Sequence, residues 1–251
     1  MSISGGETTR DAFLGGRLTL EQPARGYRAG VDPVILASFV PAKPGQSVLE
    51  LGCGVGCALF CLASRVPGLD LSGVELQDEY ATLARRNAET NGIVAGIYSG
   101  DLDELPTELR QRRFDHVIAN PPYYAPGSGT HPAKDDRATA HREDLPLERW
   151  IAVGARRLAP RGMMSVIQRA DRMGDLLGAM QSHLGSIVVQ ILQPRADRPA
   201  SLVLVRGTKG GRAPLIVSAP IPMHLESTCD CSRNKYTDRL QSVLRNGQSL
   251  I

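Results

Sequence analysis

The chain has 251 residues, of which 42% are hydrophobic and 22% are charged, so it is long and apolar enough to form a globular core. Its net charge of +3 is compatible with nucleic-acid binding but does not indicate it. The longest apolar run, at 34–40, is too short to span a bilayer, and the N-terminus lacks the pattern of a secretory signal. We therefore expect a cytoplasmic protein without a membrane partner.

The cysteines argue against both a disulfide framework and a metal site. Their number is odd, and their spacing matches neither a zinc motif nor the cluster motif of radical enzymes. Cys53, Cys57 and Cys61 fall near one face of a predicted helix, where cysteine packs like a small apolar residue. We therefore predict that these side chains pack in the core and that the protein has no metal site.

Short apolar strands alternate with helices along the chain. A helix is expected at 33–39, before the first strand of the sheet. In chain order, strands are then predicted at 47–51, 71–75, 93–99, 114–119, 163–168, 187–193 and 201–206, with helices at 56–65, 77–91, 147–158 and 172–183. This alternation is typical of right-handed βαβ units and a mostly parallel sheet.

The last two predicted strands are joined only by the segment PRADRPA, which is too short for a parallel crossover. The pair should therefore be antiparallel. The predicted fold is α/β, a doubly wound and mostly parallel seven-stranded sheet with an antiparallel final hairpin. We divide the chain into an N-terminal segment (1–46), the sheet domain (47–218) and a C-terminal tail (219–251) with a short helix near 238–245.

A glycine-rich turn follows the first predicted strand. Gly52, Gly54 and Gly56 would let backbone N–H groups approach a ligand at the start of a helix. The spacing G-x-G-x-G differs from the G-x-G-x-x-G of dinucleotide-binding enzymes. Glu50 precedes the turn, where it would repel a pyrophosphate but not a cationic or zwitterionic ligand.

Two more carboxylates end strands of the same sheet. Glu75 is placed to accept hydrogen bonds from two ribose hydroxyls, and Asp101 to hold an adenine amino group. Each could instead cap a helix or lie in solvent. Taken with the glycine turn, they indicate a nucleoside with an amino-acid tail and no phosphate, which is S-adenosylmethionine; Leu76 and Leu102, the residues that follow them, complete the predicted contacts.

The fourth strand ends in the sequence Asn120-Pro121-Pro122-Tyr123. Proline has no N–H, so this turn offers carbonyl acceptors without the usual neighbouring donors. The Asn120 side-chain oxygen and the Pro121 carbonyl could accept both protons of one planar amino group and direct its lone pair at a methyl donor. Tyr123 would stack on the planar group. A proline-terminated strand without function is the alternative.

These motifs resemble the class I S-adenosylmethionine-dependent methyltransferases, and NPPY resembles those that act on planar amino groups. Nearly the whole chain is similar to the bacterial tRNA adenine-N6-methyltransferases that modify position 37 of a valine tRNA. The similarity rests on residues 11–37, the NPPYY turn, residues 198–211 and residues 236–247. It implies an enzyme with S-adenosylmethionine as cofactor and tRNA as substrate.

The segment Gly26–Asp32 should fold over the methionine end of the cofactor. Arg28, Gly30 and Asp32 are its candidate contacts, although Asp32 could equally be the N-cap of the following helix. The polar loop at 125–145 reads as a lid over the site. Candidate contacts to RNA phosphates, each of which could also be an ordinary solvated charge, are Lys134, Arg137, Arg142, Lys209 and Arg212.

Three alternatives stay open. A protein glutamine N5-methyltransferase would present the same planar amide to the turn, but such enzymes usually have a helical domain before the glycine turn, and only 46 residues precede Ser47 here. A guanine N2-methyltransferase would also act on RNA, but its target base would be guanine instead of adenine. A non-catalytic RNA-binding protein is disfavoured because both the glycine turn and the acceptor turn are intact.

Overall fold

A computed structural model describes residues 7–123, 145–225 and 235–251. The chain begins with a β-hairpin, β1 (Thr8–Phe13) and β2 (Leu18–Pro23), followed by helix α1 (Asp32–Phe39). The first half of the sheet domain then comprises β3 (Ser47–Leu51), α2 (Cys57–Arg65), β4 (Asp70–Glu75), α3 (Asp78–Thr90), β5 (Ala95–Ser99), α4 (Thr107–Arg110) and β6 (Phe114–Ala119). The second half comprises α5 (Leu147–Arg157), β7 (Leu158–Arg169), α6 (Met173–Gln181), β8 (Gly185–Gln193), β9 (Leu202–Thr208), β10 (Ile216–Val217), β11 (Ile221–Pro222) and α7 (Asp238–Asn246).

Seven long strands form the central sheet in the order β5-β4-β3-β6-β7-β9-β8. All of them are parallel except β9, which lies antiparallel between β7 and β8. The predicted fold class and the antiparallel final hairpin are therefore confirmed. The two-residue strands β10 and β11 add to the outer edge of β8 and were not predicted.

Alternate residues of the inner strands point into two separate cores. On β3, Val48 packs in the core beneath α1, α2 and α3, whereas Leu49 and Leu51 pack in the core beneath α5 and α6. On β6, Ile118 faces the first core and Val117 the second. Because both faces are covered by helices, the strands are continuous apolar runs, and each fully buried aliphatic side chain contributes about 1.5–3 kcal/mol.

The N-terminal hairpin was not predicted, although β2 alternates between buried and less buried residues as a half-covered strand should. Two asparagines fix the hairpin to the sheet domain: Asn87 lies in α3, and Asn91 follows its last residue. Asn87 Oδ1 accepts a hydrogen bond from the Glu21 backbone N at 2.7 Å, and Asn91 Oδ1 accepts one from the Thr19 backbone N at 3.0 Å. The hairpin thus leads the chain towards α1 and the glycine turn.

The C-terminal helix forms where the sequence predicted it and packs beside α1. The backbone N of Leu250 donates to the Ser38 carbonyl at 2.9 Å, and Leu240 and Val243 are buried. The division of the chain at residues 46 and 218 stays a prediction.

Cys53, Cys57 and Cys61 are free thiols buried in the first core, as the helical spacing predicted. A hydrogen bond with Cys61, together with burial, raises the pKa of the Cys57 thiol well above its ordinary value. In residues 7–123, 145–225 and 235–251, no cluster of three or more His, Cys, Asp or Glu side chains is arranged to hold a metal ion. Over the same ranges, no helix has the length and apolarity needed to cross a membrane.

Candidate active site

The carboxyl ends of β3, β4, β5 and β6 meet at one edge of the sheet. Leu51 is in register with both Val74 and Ala119, and Glu75 is in register with Ser99. The glycine turn, the two strand-ending carboxylates and the NPPY turn therefore emerge side by side. This is the edge at which α/β proteins bind ligands.

The glycine turn needs glycine at each of its three positions. Gly52, Gly54 and Gly56 have φ values of 62°, 54° and 86°, in the left-handed region that other residues rarely adopt. A Cβ on Gly56 would also lie 2.2 Å from the ring of Phe60. The three glycines therefore let the chain turn tightly into α2, where a side chain would be strained or, at position 56, would clash with Phe60.

Glu75 is fully buried and ties the glycine turn to the end of β4. Its Oε2 accepts a hydrogen bond from the Gly54 backbone N at 2.8 Å, and its Oε1 accepts one from the Gln77 backbone N at 3.0 Å. These bonds fix the carboxylate at the predicted position. Its role at ribose hydroxyls stays a prediction.

Glu50 is also buried, and it serves the helix that follows the turn. Its Oε2 accepts a hydrogen bond from the Leu59 backbone N at 3.0 Å, so the carboxylate satisfies one of the unpaired N–H groups in the first turn of α2. This structural contact was not predicted, and a contact from Glu50 to the cofactor remains a prediction.

Four of the predicted cofactor contacts line one cavity beside the glycine turn: Gly52, Leu76, Asp101 and Leu102. The remaining lining residues are Val74, Gly100, Asp103, Leu145 and Trp150. Asp101 is exposed, and its Oδ1 accepts a hydrogen bond from the Asp103 backbone N at 2.8 Å. The cavity is thus lined by two carboxylates and by no Lys, Arg or His among the described residues.

Trp150 was not predicted as a lining residue. It lies on α5, about 50 residues beyond Asp101 in sequence, and nothing in its local pattern separates it from a core tryptophan. Its indole is buried, and its Nε1 has no hydrogen-bond acceptor among the described residues.

The acceptor turn begins with Asn120. Its side-chain Oδ1 is buried and receives no hydrogen bond from any residue that the structure describes. Its Nδ2 lies 3.5 Å from the Tyr27 hydroxyl, a long contact that places the donor end of the amide towards that hydroxyl. A buried amide oxygen without a donor costs about 1–3 kcal/mol, so this atom is suited to receive a ligand N–H.

The two prolines differ in their surroundings. Pro121 is buried, and its carbonyl was the second predicted acceptor. The Pro122 carbonyl instead accepts a hydrogen bond from Gln168 Nε2 at 3.3 Å. Pro122 therefore anchors the turn to β7, and the acceptor pair of Asn120 and Pro121 stays a prediction.

Tyr123 is partly buried and packs against the first core. Its hydroxyl donates a hydrogen bond to Asp32 Oδ2. The alternative assignment of Asp32 as a helix N-cap was wrong, because Val31 occupies that position and Asp32 is the first residue of α1. Stacking by Tyr123 on a substrate stays a prediction.

Tyr27 was missed by the sequence analysis. It is 49% exposed and lies between the glycine turn and Asn120. A Cβ on Gly54 would come within 3.8 Å of its ring, and Tyr80 fixes its backbone by donating to the Tyr27 carbonyl at 3.0 Å. The only sequence signal was its place in the Gly26–Asp32 segment, which does pass over this edge of the sheet.

The predicted cofactor contacts of Arg28 and Gly30 stay predictions. Arg28 binds the hairpin: its Nη2 lies 2.7 Å from Asp11 Oδ2 and its Nη1 2.8 Å from Thr9 Oγ1. These contacts do not support the predicted role of Arg28 at the cofactor. Gly30 lies exposed just before α1.

The predicted RNA contacts of Lys209 and Arg212 stay predictions, but the topology places both residues away from the acceptor turn. Because β9 is antiparallel, its C-terminal end points away from the edge that carries the acceptor turn: Leu202 is in register with Arg169, the last residue of β7, and Thr208 with Met163, six residues earlier. Lys209 Nζ donates to the carbonyls of Ala155 and Leu158, both at 2.9 Å, and burial lowers its pKa. Lys209 thus caps α5.

The other predicted RNA contacts, Lys134, Arg137 and Arg142, lie outside the described residues, as do Tyr124 and nearly all of the proposed lid.

Comparisons with known proteins agree with this geometry. Residues 30–190 match the family model described as methyltransferase small domain. A tRNA1(Val) (adenine(37)-N6)-methyltransferase of Porphyromonas gingivalis strain ATCC 33277 is 32% identical over 175 residues, which are 66% of this chain and 68% of that protein. A protein of the same name from Dickeya chrysanthemi is 28% identical over 190 residues, 74% of each chain.

Solved structures show the same fold. A predicted O-methyltransferase of Agrobacterium tumefaciens superposes with a TM-score of 0.70 at 25% identity, over 88% of this chain and 98% of its own. A 16S rRNA N2 methyltransferase of Thermus thermophilus, solved with AdoMet and guanosine, superposes with a TM-score of 0.57 at 21% identity, over 81% of this chain and 50% of its own. The family match covers more than half of the residues, and the chain belongs to the methyltransferase small domain family.

Proposed function

We propose that this protein is an S-adenosylmethionine-dependent N-methyltransferase that methylates the N6 amino group of adenine in tRNA, at position 37 of a valine tRNA. The observation that carries the proposal is the buried Oδ1 of Asn120, which receives no hydrogen bond from residues 7–123, 145–225 or 235–251. The names of the relatives from Porphyromonas and Dickeya support the choice of base and RNA. A tRNA substrate would place the enzyme in the cytoplasm.

The residues present fit the cofactor. Gly52, Leu76, Asp101 and Leu102 share one cavity, and its two carboxylates disfavour a ligand with a pyrophosphate. Asp101 can accept a hydrogen bond from an adenine amino group, and Glu75 lies at the end of the neighbouring strand for the ribose. S-adenosylmethionine would supply an electrophilic methyl group on a positively charged sulfur.

The protein's part in the chemistry is to orient the target nitrogen. The lone pair of an exocyclic amino group is delocalised into the ring, so the nitrogen is a poor nucleophile in its planar form. Asn120 Oδ1 and the Pro121 carbonyl accept its two N–H groups and favour a pyramidal geometry as the new N–C bond forms. As that bond forms, the bond between the methyl group and the cofactor's sulfur would break, and the sulfur would keep the electron pair. The nitrogen, then positively charged, would release one proton to solvent, so no general base is required.

The charges at the carboxyl edge indicate how RNA approaches. On the side of β4 and β5, the segments that follow the strands carry acidic residues. They are Asp78 and Glu79 in the first turn of α3, and Asp101, Asp103 and Glu104 in the loop after β5. On the side of β7 and β8, exposed arginines follow the strands, with Arg169 beside the acceptor turn and Arg198 in the loop between β8 and β9. The backbone bond from Ala170 N to the Ser201 carbonyl at 2.9 Å joins these two segments. We place the RNA backbone on the β7–β8 side.

The decisive experiment uses purified enzyme, S-adenosylmethionine with an isotopically labelled methyl group, and tRNA from a strain that lacks this gene. Mass spectrometry of the digested nucleosides should show the label in N6-methyladenosine, and fragment mapping should place it at position 37 of a valine tRNA. Label in N2-methylguanosine, or in a glutamine of a co-purified protein, would overturn the proposal.

A further inference from the structure

The hydroxyl of Tyr123 and the carboxylate of Asp32 form a hydrogen bond that joins two distant parts of the chain. Tyr123 ends the acceptor turn, and Asp32 begins α1, 91 residues earlier. Both residues are partly buried, and Tyr123 packs against the first core. A charge-assisted bond in such surroundings is among the stronger contacts available to a tyrosine.

The protonation states favour this bond at neutral pH. Burial, reinforced by the negative charge of Asp32, raises the pKa of Tyr123 well above its ordinary value, so the hydroxyl remains a donor. Burial raises the pKa of Asp32, while the bond from Tyr123 opposes that rise. The position of Asp32 in the first turn of α1 also favours its charged form, because the N-terminus of a helix carries a partial positive charge.

Two hydrogen bonds restrict Tyr123, one next to its backbone and one at its hydroxyl. The backbone of Tyr123 is held through its neighbour, since the Pro122 carbonyl accepts a hydrogen bond from Gln168. The hydroxyl is held by Asp32. A ring anchored at its Cα and at its oxygen cannot swing about its first side-chain torsion without breaking a hydrogen bond, so the position and direction of its long axis are fixed relative to Asn120.

We propose that Asp32 is a positioning residue, which fixes the ring of Tyr123 at the orientation needed to stack on the target base beside Asn120. This role rests on the proposed function. It differs from both interpretations drawn from the sequence, a contact to the cofactor and an N-cap. It predicts that Asp32 acts on the transfer step through Tyr123 and has little effect on cofactor binding.

The test compares Asp32→Ala, Asp32→Asn, Tyr123→Phe and the double variant Asp32→Ala/Tyr123→Phe. For each, kcat and KM for tRNA, the Kd of the cofactor and the melting temperature are measured. Asp32→Ala should lower kcat by about 10- to 100-fold, because small misplacements of reacting groups cost this much, and should leave the cofactor Kd within about twofold. Tyr123→Phe should lower kcat by a similar factor, and kcat of the double variant should be no lower than that of either single variant.

Asp32→Asn is the conservative control. Its amide oxygen can still accept a hydrogen bond from Tyr123, so it should retain most of the kcat that Asp32→Ala loses. A parallel loss of cofactor affinity and kcat in Asp32→Ala would mean that Asp32 binds the cofactor. If the fold-reductions in kcat of the two single variants multiply in the double variant, the two residues act separately.

Two further outcomes separate this inference from the proposed function. If Asp32→Ala does not fold, the cycle is run with Asp32→Leu, which has a similar branched shape and no acceptor, and with Tyr123→Phe; additive changes in melting temperature would overturn the bond. If the wild-type enzyme methylates no tRNA, the function fails, whereas non-additive melting temperatures would still establish the bond. Additive melting temperatures with active wild-type enzyme would overturn the positioning role alone.

Discussion

At the scale of single residues, the orientation of the Asn120 amide decides what the turn can bind. The two ends of an amide are a donor and an acceptor, and the end that faces the Tyr27 hydroxyl is Nδ2. The oxygen is thereby left for a ligand, in a position where it is buried and unpaired among the described residues. Tyr27 could not be recognised from sequence because its partner lies 93 residues away.

His116 is a buried residue outside the site, with a measurable effect on stability. It lies on β6, where its Nε2 is 3.0 Å from Gln46 Oε1 and its Nδ1 is unpaired among the described residues. Burial lowers its pKa to about 4; nearby Asp115 opposes this effect, while Arg206 and Arg65 reinforce it. The neutral ring is therefore the folded form.

Because the unfolded chain takes up this proton near pH 6.5 and the folded chain only near pH 4, stability should fall as the pH drops between these values. The contribution of His116 is roughly 3 kcal/mol over that window and does not grow below it. Urea unfolding at pH 7 and pH 4.5 measures this effect. His116→Gln should show a shallower pH dependence, and an unchanged dependence would contradict the assignment.

At the scale of elements, the start of α2 combines a glycine turn with a buried carboxylate. Gly56 precedes the helix with φ of 86°, and Glu50 accepts a hydrogen bond from the first turn. The sequence predicted the position of this turn because a strand, three glycines and a helix follow one another. It did not predict the contact of Glu50 with α2, since the carboxylate could equally face a ligand.

Gly56→Ala should destabilise the protein by roughly 2–5 kcal/mol, as the sum of left-handed backbone strain and overpacking against Phe60. It should also weaken cofactor binding, because the turn must shift. Gly68→Ala is the matched control: its φ is 77°, but a Cβ there has no neighbour within 4 Å.

Gly68→Ala should therefore lose only about 1–2 kcal/mol of stability, from the strain of the left-handed backbone alone. Denaturant unfolding and cofactor titration measure both quantities. Equal losses of stability in the two variants would show that the contact with Phe60 does not determine the cost.

At the scale of the whole molecule, the sheet topology separates what the sequence could predict from what it could not. The glycine turn, Glu75, Asp101 and Asn120 were predicted to lie together because parallel strands end at a common edge. Lys209 and Arg212 were assigned to the same surface by charge alone. The antiparallel direction of β9 carries them to the other edge, and charge contains no information about that direction.

The two edges provide a matched pair of exposed arginines. Arg198 lies at the carboxyl edge, with its side chain 64% exposed and 3.8 Å from Asp197, whereas Arg212 lies at the amino edge. Arg198→Ala should weaken tRNA binding severalfold and reduce the slope of log affinity against log salt by about 1, as expected for one lost phosphate contact. Arg212→Ala should change neither.

Binding titrations at several salt concentrations distinguish the two variants. If Arg212→Ala weakened tRNA binding as much as Arg198→Ala, the RNA would have to contact the amino edge, and the proposed approach would be wrong.

The central claim is that the Asn120 side-chain oxygen accepts a hydrogen bond from the target amino group during transfer. The most direct measurement is single-turnover methyl transfer by Asn120→Ala, together with cofactor binding by the same variant. Transfer should fall by roughly 100-fold or more while the cofactor Kd stays nearly unchanged, because the lost hydrogen bond acts on the transition state. Transfer at the wild-type rate, or equal losses of transfer and cofactor affinity, would contradict the claim.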